Sequence, residues 1–227
     1  MITTEHLIID TDKADFGTLH LAPFAEPEME QYMPLPEAFT RHNPPAAFED
    51  LDTAEAYLEA DRDDEHFVAW GMYVGSIATK NFVGTIGTSA SNAGTFEEPE
   101  WTRGVQNVHT GIFSAEWHRR SIGTIAKLAI AKYAFEEQGT RVLFAETSVN
   151  NLGANKSLER CGFLPTETME RYTFSDGSLT QLWMLADVVV QEAMPDLQPV
   201  LQEGWEVYQA ALANITVKNV CLAPQSR

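Results

Sequence analysis

The sequence predicts an α+β fold, an α/β sandwich in which helices flank one mixed sheet. Three observations carry that expectation. Segments of strand period and helix period alternate along the chain, but without the regular strand–helix–strand repetition of a parallel sheet. Residues 121–138 read as a helix so apolar that it must be packed on more than one side. Residues 166–174 and 179–185 read as strands flanking Ser175-Asp176-Gly177-Ser178, a good hairpin turn.

The first strand is expected over 18–24, where Leu19 and Leu21 alternate with more permissive positions. Short helices follow over 25–33, stopped by Pro34 and Pro36, and over 48–60. A proline-rich stretch (35–47) and a charge run (61–65) read as irregular and solvated. Two strands, 66–73 and 82–88, make a hairpin, and the polar stretch 89–103 reads as a loop. The fourth strand spans 105–114. After the long helix, Gly139 supplies the stop, and a fifth, largely apolar strand covers 141–147. Asn150 or Asn151 caps a helix that runs to about Arg160 and ends at Gly162. From 187 onward, Leu197, Val200, Leu201, Gly204, Tyr208 and Leu212 recur at helical spacing beside Trp205. The chain is therefore expected to hold a domain over 1–186 and a C-terminal helical extension over 187–227. That extension packs on its own domain, forms a homodimer contact, or covers the site.

Composition excludes several classes. The 227 residues carry a formal net charge of −18. Such a surface repels phosphate backbones and anionic membranes, so neither a nucleic acid nor a membrane is an expected partner. It favours cationic partners, or serves solubility alone. No stretch approaches the ~18 consecutive apolar residues of a membrane span, and residues 1–10 lack the order of a signal peptide, which places the chain in the cytoplasm. Cys161 and Cys221 are too few for a disulfide framework and read as buried thiols. Six histidines lie scattered without metal-site spacing, so no metal is expected.

The informative stretch is 108–163. A strand leads through a turn into a helix, which presents unbonded backbone N–H groups and the positive end of the helix dipole. That is an anion site suited to a pyrophosphate. His118, Arg119 and Arg120 add positive charge there, in a chain with only 15 lysines and arginines. Salt bridges to the acidic surface are the competing reading of the two arginines. A second phosphate-loop reading, at Gly84-Thr85-Ile86-Gly87, leads into a polar stretch rather than a helix and fits poorly.

The run His118-Arg119-Arg120-Ser121-Ile122-Gly123, followed by Thr124, resembles the cofactor loop of the GNAT superfamily of N-acetyltransferases, Gln/Arg-x-x-Gly-x-Gly/Ala. His118 stands for Gln/Arg and Ser121 for the first Gly. Residues 151–163, from Asn151 through Asn155 to Gly162-Phe163, resemble that family's Asn-containing helix. Residues 19–24, Trp70-Gly71 and 82–87 are similar to the first strands of its ribosomal-protein (Rim-type) branch. The resemblance covers about 16–186. It implies a sheet splayed between the fourth and fifth strands, with acetyl-CoA as donor and its pantetheine arm in the gap. Backbone groups of Ile112, Phe113 and Ser114 would pair with the arm, and the turn 118–124 would hold the pyrophosphate. Ser121 can offer its N–H or a capping hydroxyl, and Asn151 and Asn155 belong to the cofactor-side helix.

Acetyl transfer to an amine needs a group that accepts a proton. Relatives carry a fourth-strand Glu, but here the stretch reads Asn107-Val108-His109-Thr110. His109 is the best titratable substitute, or a hydrogen-bonded strand residue. Glu146 on the fifth strand is the second candidate, or a solvent-facing carboxylate. Leu158 stands where relatives place a Tyr as acid. The expected activity is transfer of an acetyl group to a primary amine of a small molecule or peptide. A non-catalytic acyl-CoA-binding module is the alternative.

Overall fold

The computed structural model describes residues 5–11, 16–23, 68–75, 81–90, 104–113, 115–170, 174 and 176–221. The helices expected over 25–33 and 48–60, the irregular stretches 35–47 and 61–65, and most of the loop 89–103 lie outside the described residues, as does Ser114.

The sheet contains β1 (Glu5–Asp10), β2 (Leu19–Ala22), β3 (Val68–Val74), β4 (Asn81–Ala90), β5 (Val105–Ile112), β6 (Val142–Ser148), β7 (Leu164–Met169), β8 (Thr180–Ala186) and β9 (Thr216–Cys221). The helices are α1 (Ile122–Glu136), α2 (Leu152–Arg160), α3 (Val188–Ala193) and α4 (Gln198–Leu212). The strand order is β7-β8-β6-β5-β4-β3-β2-β1-β9. Only β5 and β6 run parallel, joined by α1; every other neighbouring pair is antiparallel. The fold is α+β, as the mixed pattern predicts.

Helix α1 is apolar around most of its circumference because it is enclosed. One side packs on the sheet through the core of Leu7, Leu21, Trp70, Ile86 and Val108, and the other meets α2 and α4. Ala126, Ala129, Ala131 and Ala134 are buried and let its neighbours come close. Past its end, the Thr140 N–H reaches back to the Ala134 carbonyl at 3.0 Å, with Gly139 at φ 68. That is the left-handed glycine stop expected there.

The stretch Gly84-Thr85-Ile86-Gly87 lies inside β4, so it is no phosphate loop. A Cβ on Gly84 would stand 1.9 Å from the Gly111 carbonyl oxygen, and one on Gly87 2.5 Å from that of Val68. The glycines serve close strand packing.

The tail differs from a purely helical extension. Helix α4 packs on its own domain: Leu201, Gly204 and Tyr208 are buried, and Phe135 of α1 stacks edge-on against Trp205 and Tyr208 at 5.1 and 5.8 Å. Leu197 and Val200, assigned to the buried stripe by spacing, are 46% and 54% exposed. The helix starts only at Gln198, and its contact face is centred one position later. Strand β9 then pairs with β1 over six residues, an edge ladder that neither short segment announces by itself.

Candidate active site

Strands β5 and β6 pair at only three positions, ending with Asn107 opposite Phe144. Beyond that couple they part, and the sheet is splayed there. On the other side of β5 the ladder with β4 continues to Ile112. The Phe113 N–H donates to the Val83 carbonyl at 2.9 Å. Antiparallel strands alternate the direction of their backbone groups. The Val108 N–H points toward β6 and is taken by the Phe144 carbonyl at the last rung, so the N–H groups of Thr110 and Ile112 point into the gap. Thr110 Oγ1, buried there on the α1 side, has no hydrogen-bond partner. An extended arm bearing amides would meet a row of donors and this hydroxyl. Phe113 itself is engaged with β4, so of the two described backbone partners expected there Ile112 is the one that faces the gap, joined by Thr110.

The N-terminus of α1 closes the head of the gap. Ser121 sits at the N-cap with φ 65, and no side chain caps the helix, so its hydroxyl does not play the capping role. The N–H groups of Ile122, Gly123 and Thr124 thus lack an intrahelical acceptor. Arg119 is also left-handed, at φ 62. Two L-residues in this region carry about 1–2 kcal/mol of backbone strain each. Glycine at the Ser121 position would avoid that strain. His118 Nε2 donates to the Ile112 carbonyl at 3.0 Å, tying the turn to the end of β5. Arg120 lies 5.1 Å over the Trp117 ring and donates through Nε to the Glu116 carbonyl, while Arg119 is exposed.

Helix α2 lines the opposite wall. Asn151 is its cap, with Oδ1 accepting from the Ala154 N–H at 3.1 Å. Asn155 accepts from the Thr147 hydroxyl and donates to the carbonyls of Ser148 and Val149 at 3.2 and 3.1 Å. Its amide holds α2 to the end of β6. Leu158 is fully buried and provides no proton donor.

His109 and Glu146 each lie two residues beyond the last paired couple, Asn107 and Phe144. Side chains alternate faces along a strand, so both stand on the same sheet face, on opposite lips of the gap. That face is turned away from α1, since Val108 and Ala145 belong to the core beneath the helix. His109 Nε2 is 2.8 Å from Ser89 Oγ on β4. The imidazole has open surface in the cleft, yet protein surrounds it closely enough that desolvation holds its pKa below the ordinary histidine value. It is therefore neutral near pH 7, the form that accepts a proton. Glu146 is half-buried. Ser89 carries no signal in the sequence: it falls at the edge of a polar stretch, and only the β4–β5 register brings it to His109.

Behind the turn lies a polar cluster in the core. Thr124 Oγ1 and Ser157 Oγ are 3.0 Å apart, Cys161 donates through Sγ to the Thr124 carbonyl, and Lys127 is buried among them. Burial pushes the Cys161 thiol up to about 12. Among the described residues no three metal-ligating side chains converge, and no helix is long and apolar enough to cross a membrane.

The profile of the acetyltransferase (GNAT) domain matches residues 7–164, well over half of the chain. The chain belongs to the GNAT acetyltransferase family. No curated protein is similar enough in sequence to count as a relative. Among solved structures, RimJ from Mycobacterium smegmatis, in complex with CoA-disulfide, is 13% identical with a TM-score of 0.63, over 92% of this chain and 95% of that one. A GCN5-related N-acetyltransferase from Brucella melitensis is 15% identical, TM-score 0.58, over 91% and 84%. Spermidine N-acetyltransferase from Vibrio cholerae, in complex with CoA and spermine, is 13% identical, TM-score 0.55, over 74% and 95%. At these identities the likeness is one of fold.

Proposed function

We propose that this GNAT protein moves an acetyl group from acetyl-CoA directly to a primary amine of a small molecule or peptide. One observation carries the reading. The gap between β5 and β6 opens beside an uncapped helix N-terminus and has His109 and Glu146 on its two lips. Bound in that gap, acetyl-CoA supplies an activated thioester carbonyl. The protein's own groups do the rest. The N–H groups of Ile122, Gly123 and Thr124, with Arg119, bind the pyrophosphate. The N–H groups of Thr110 and Ile112 orient the arm and stabilise charge developing on the carbonyl oxygen. Neutral His109 takes the proton of the attacking amine, with Ser89 fixing the ring, and Glu146 draws a cationic amine across the gap.

The acceptor is cationic on this reading. A net charge of −18 favours a cationic acceptor, while the basic residues of the turn, His118, Arg119 and Arg120, favour the anionic donor. The Vibrio cholerae neighbour, solved with spermine, is a precedent for such acceptors within the fold. The test is CoA release from acetyl-CoA against a panel of polyamines, basic peptides, and neutral and acidic amines. Release that depends on a cationic amine supports the proposal. Saturable acetyl-CoA binding without release for any amine supports instead an acyl-CoA-binding module, the reading favoured by Ser121 and Leu158. Bound at ~100 times its dissociation constant, acetyl-CoA stabilises the fold by about 2.7 kcal/mol, which a thermal shift detects.

A further inference from the structure

Helix α1 carries one charged side chain where its packing leaves no water. Lys127 is 7% exposed. Its amine donates to the Gly123 carbonyl and the Ser157 hydroxyl, each at the long limit of 3.5 Å. Among the described residues no carboxylate pairs with it. A lysine in a helix leans toward the N-terminus, and here the lean brings Nζ beside the turn. A Cβ on Gly123 would stand 3.6 Å from Nζ and 3.5 Å from Ile112 Cδ1. The amine therefore lies one helical turn behind the seat of an anion, next to the end of the β5 edge.

An apolar side chain would fill this place without the cost of burying an amine. Burial holds the amine's pKa below the ordinary lysine value, opposed only by the nearby Cys161 thiol, which is itself pushed upward. The other titratable groups around it are few. Tyr208 of α4 stands behind Cys161, and His118, Arg119 and Arg120 belong to the turn. Strands β1, β2, β4 and β5 turn apolar or hydroxyl side chains toward α1. An arriving dianion is thus the one partner that compensates an ammonium here.

We propose that Lys127 is a phosphate ligand held in reserve, whose amine takes up a proton from solvent as the pyrophosphate of CoA seats on the α1 N-terminus. The inference rests on the cofactor reading above and adds a coupling to it. The free amine has a lowered pKa and regains a higher one beside the phosphate. Between those two values each binding event takes up one proton, and affinity falls as pH rises, by at most about tenfold per pH unit. Below that window the amine is charged in both states and contributes no pH dependence.

The experiment is calorimetric titration of the whole protein with CoA, and separately with 3′-dephospho-CoA, in buffers of different ionisation heat. The titrations are repeated at several alkaline pH values, all above the ordinary imidazole value of about 6.5. Dephospho-CoA keeps the pyrophosphate and removes the titrating 3′-phosphate. At pH values between the free and the bound amine's pKa the parent is expected to take up as much as one proton with either probe. In Lys127→Met the uptake disappears and both probes bind about 10–100-fold more weakly, while the melting temperature holds or rises. Lys127→Arg, charged at all pH, also loses the uptake. Binding of dephospho-CoA by the parent without proton uptake overturns the inference and leaves the cofactor reading intact. Undiminished uptake in folded Lys127→Met or Lys127→Arg overturns it equally. A parent that binds neither probe overturns both. Because the parent titration needs no variant, a misfolded substitution does not remove the test.

Discussion

Replacing Gly162 with Ala tests whether the C-terminal helix is part of the machinery that shapes the cofactor wall. Gly162 ends α2 at φ 83, and its backbone lies against α4. A Cβ there would stand 2.2 Å from the Gly204 carbonyl oxygen and 2.7 Å from the Tyr208 nitrogen. Both are backbone atoms, so no side chain can swing aside. Restoring ordinary contact requires α4 to retreat from α2 by about an ångström. Left-handed backbone costs an L-residue about 1–2 kcal/mol, and overpacking adds about 1–3 kcal/mol. The expected loss is about 2–5 kcal/mol, a large fraction of a domain's usual ~5–15 kcal/mol. Urea unfolding measures it as a lower midpoint at constant slope. Gly204→Ala is the control, because its Cβ would meet the Gly162 oxygen at 2.6 Å without a positive φ. It should cost only the packing part, about 1–3 kcal/mol, and the two changes should be non-additive. A loss under about 1 kcal/mol for Gly162→Ala would mean that α4 does not rest on α2, and the tail would then have no bearing on the site.

His109→Gln should lower turnover by ~10²–10⁴-fold with acetyl-CoA binding kept; near-parent activity would move the proton to Glu146 or water. The lowered pKa of His109 also sets a pH signature. Activity should hold below about pH 6.5, where an ordinary imidazole is already protonated. Across that window the unfolded chain binds more protons than the native one, so native stability falls with falling pH, and His109→Gln should lack that component in unfolding curves taken at several pH values. Ser121→Gly, which relieves a left-handed serine, should stabilise the fold by roughly 0.5–1 kcal/mol; a lower melting temperature would show that the serine side chain holds the turn. The KM for a cationic acceptor should rise with salt as the Debye length shortens from ~10 Å at 0.1 M to ~3 Å at 1 M. A salt-independent KM would assign the −18 charge to solubility alone.

Features whose causes lie within a few residues are legible in the sequence itself. The apolar run of α1, the Asn151 cap and the glycines 139 and 162 that stop α1 and α2 all arise from short-range contacts between side chain and nearby backbone. The turn 118–124 belongs with them, since a helix start exposes N–H groups wherever it occurs. Strands β1 and β9 are not legible in that way. Each pairs with a segment about two hundred residues away, so the partner that fixes this edge ladder lies far outside its own neighbourhood. The site side chains divide along the same line. His109 stands out by type and position, but its contact with Ser89 depends on the β4–β5 register. Placing Glu146 on the same face as His109 depends on where the β5–β6 ladder ends. Lys127 is visible as one of few polar residues in α1, yet its burial follows from α2 and α4 closing over that side of the helix. Local sequence therefore determined where α1 and α2 start and stop, and with them the uncapped start that the anion reading rests on. Only the tertiary structure decided which side chains meet across the gap, because pairing between distant strands is set by the whole sheet and core packing rather than by either strand.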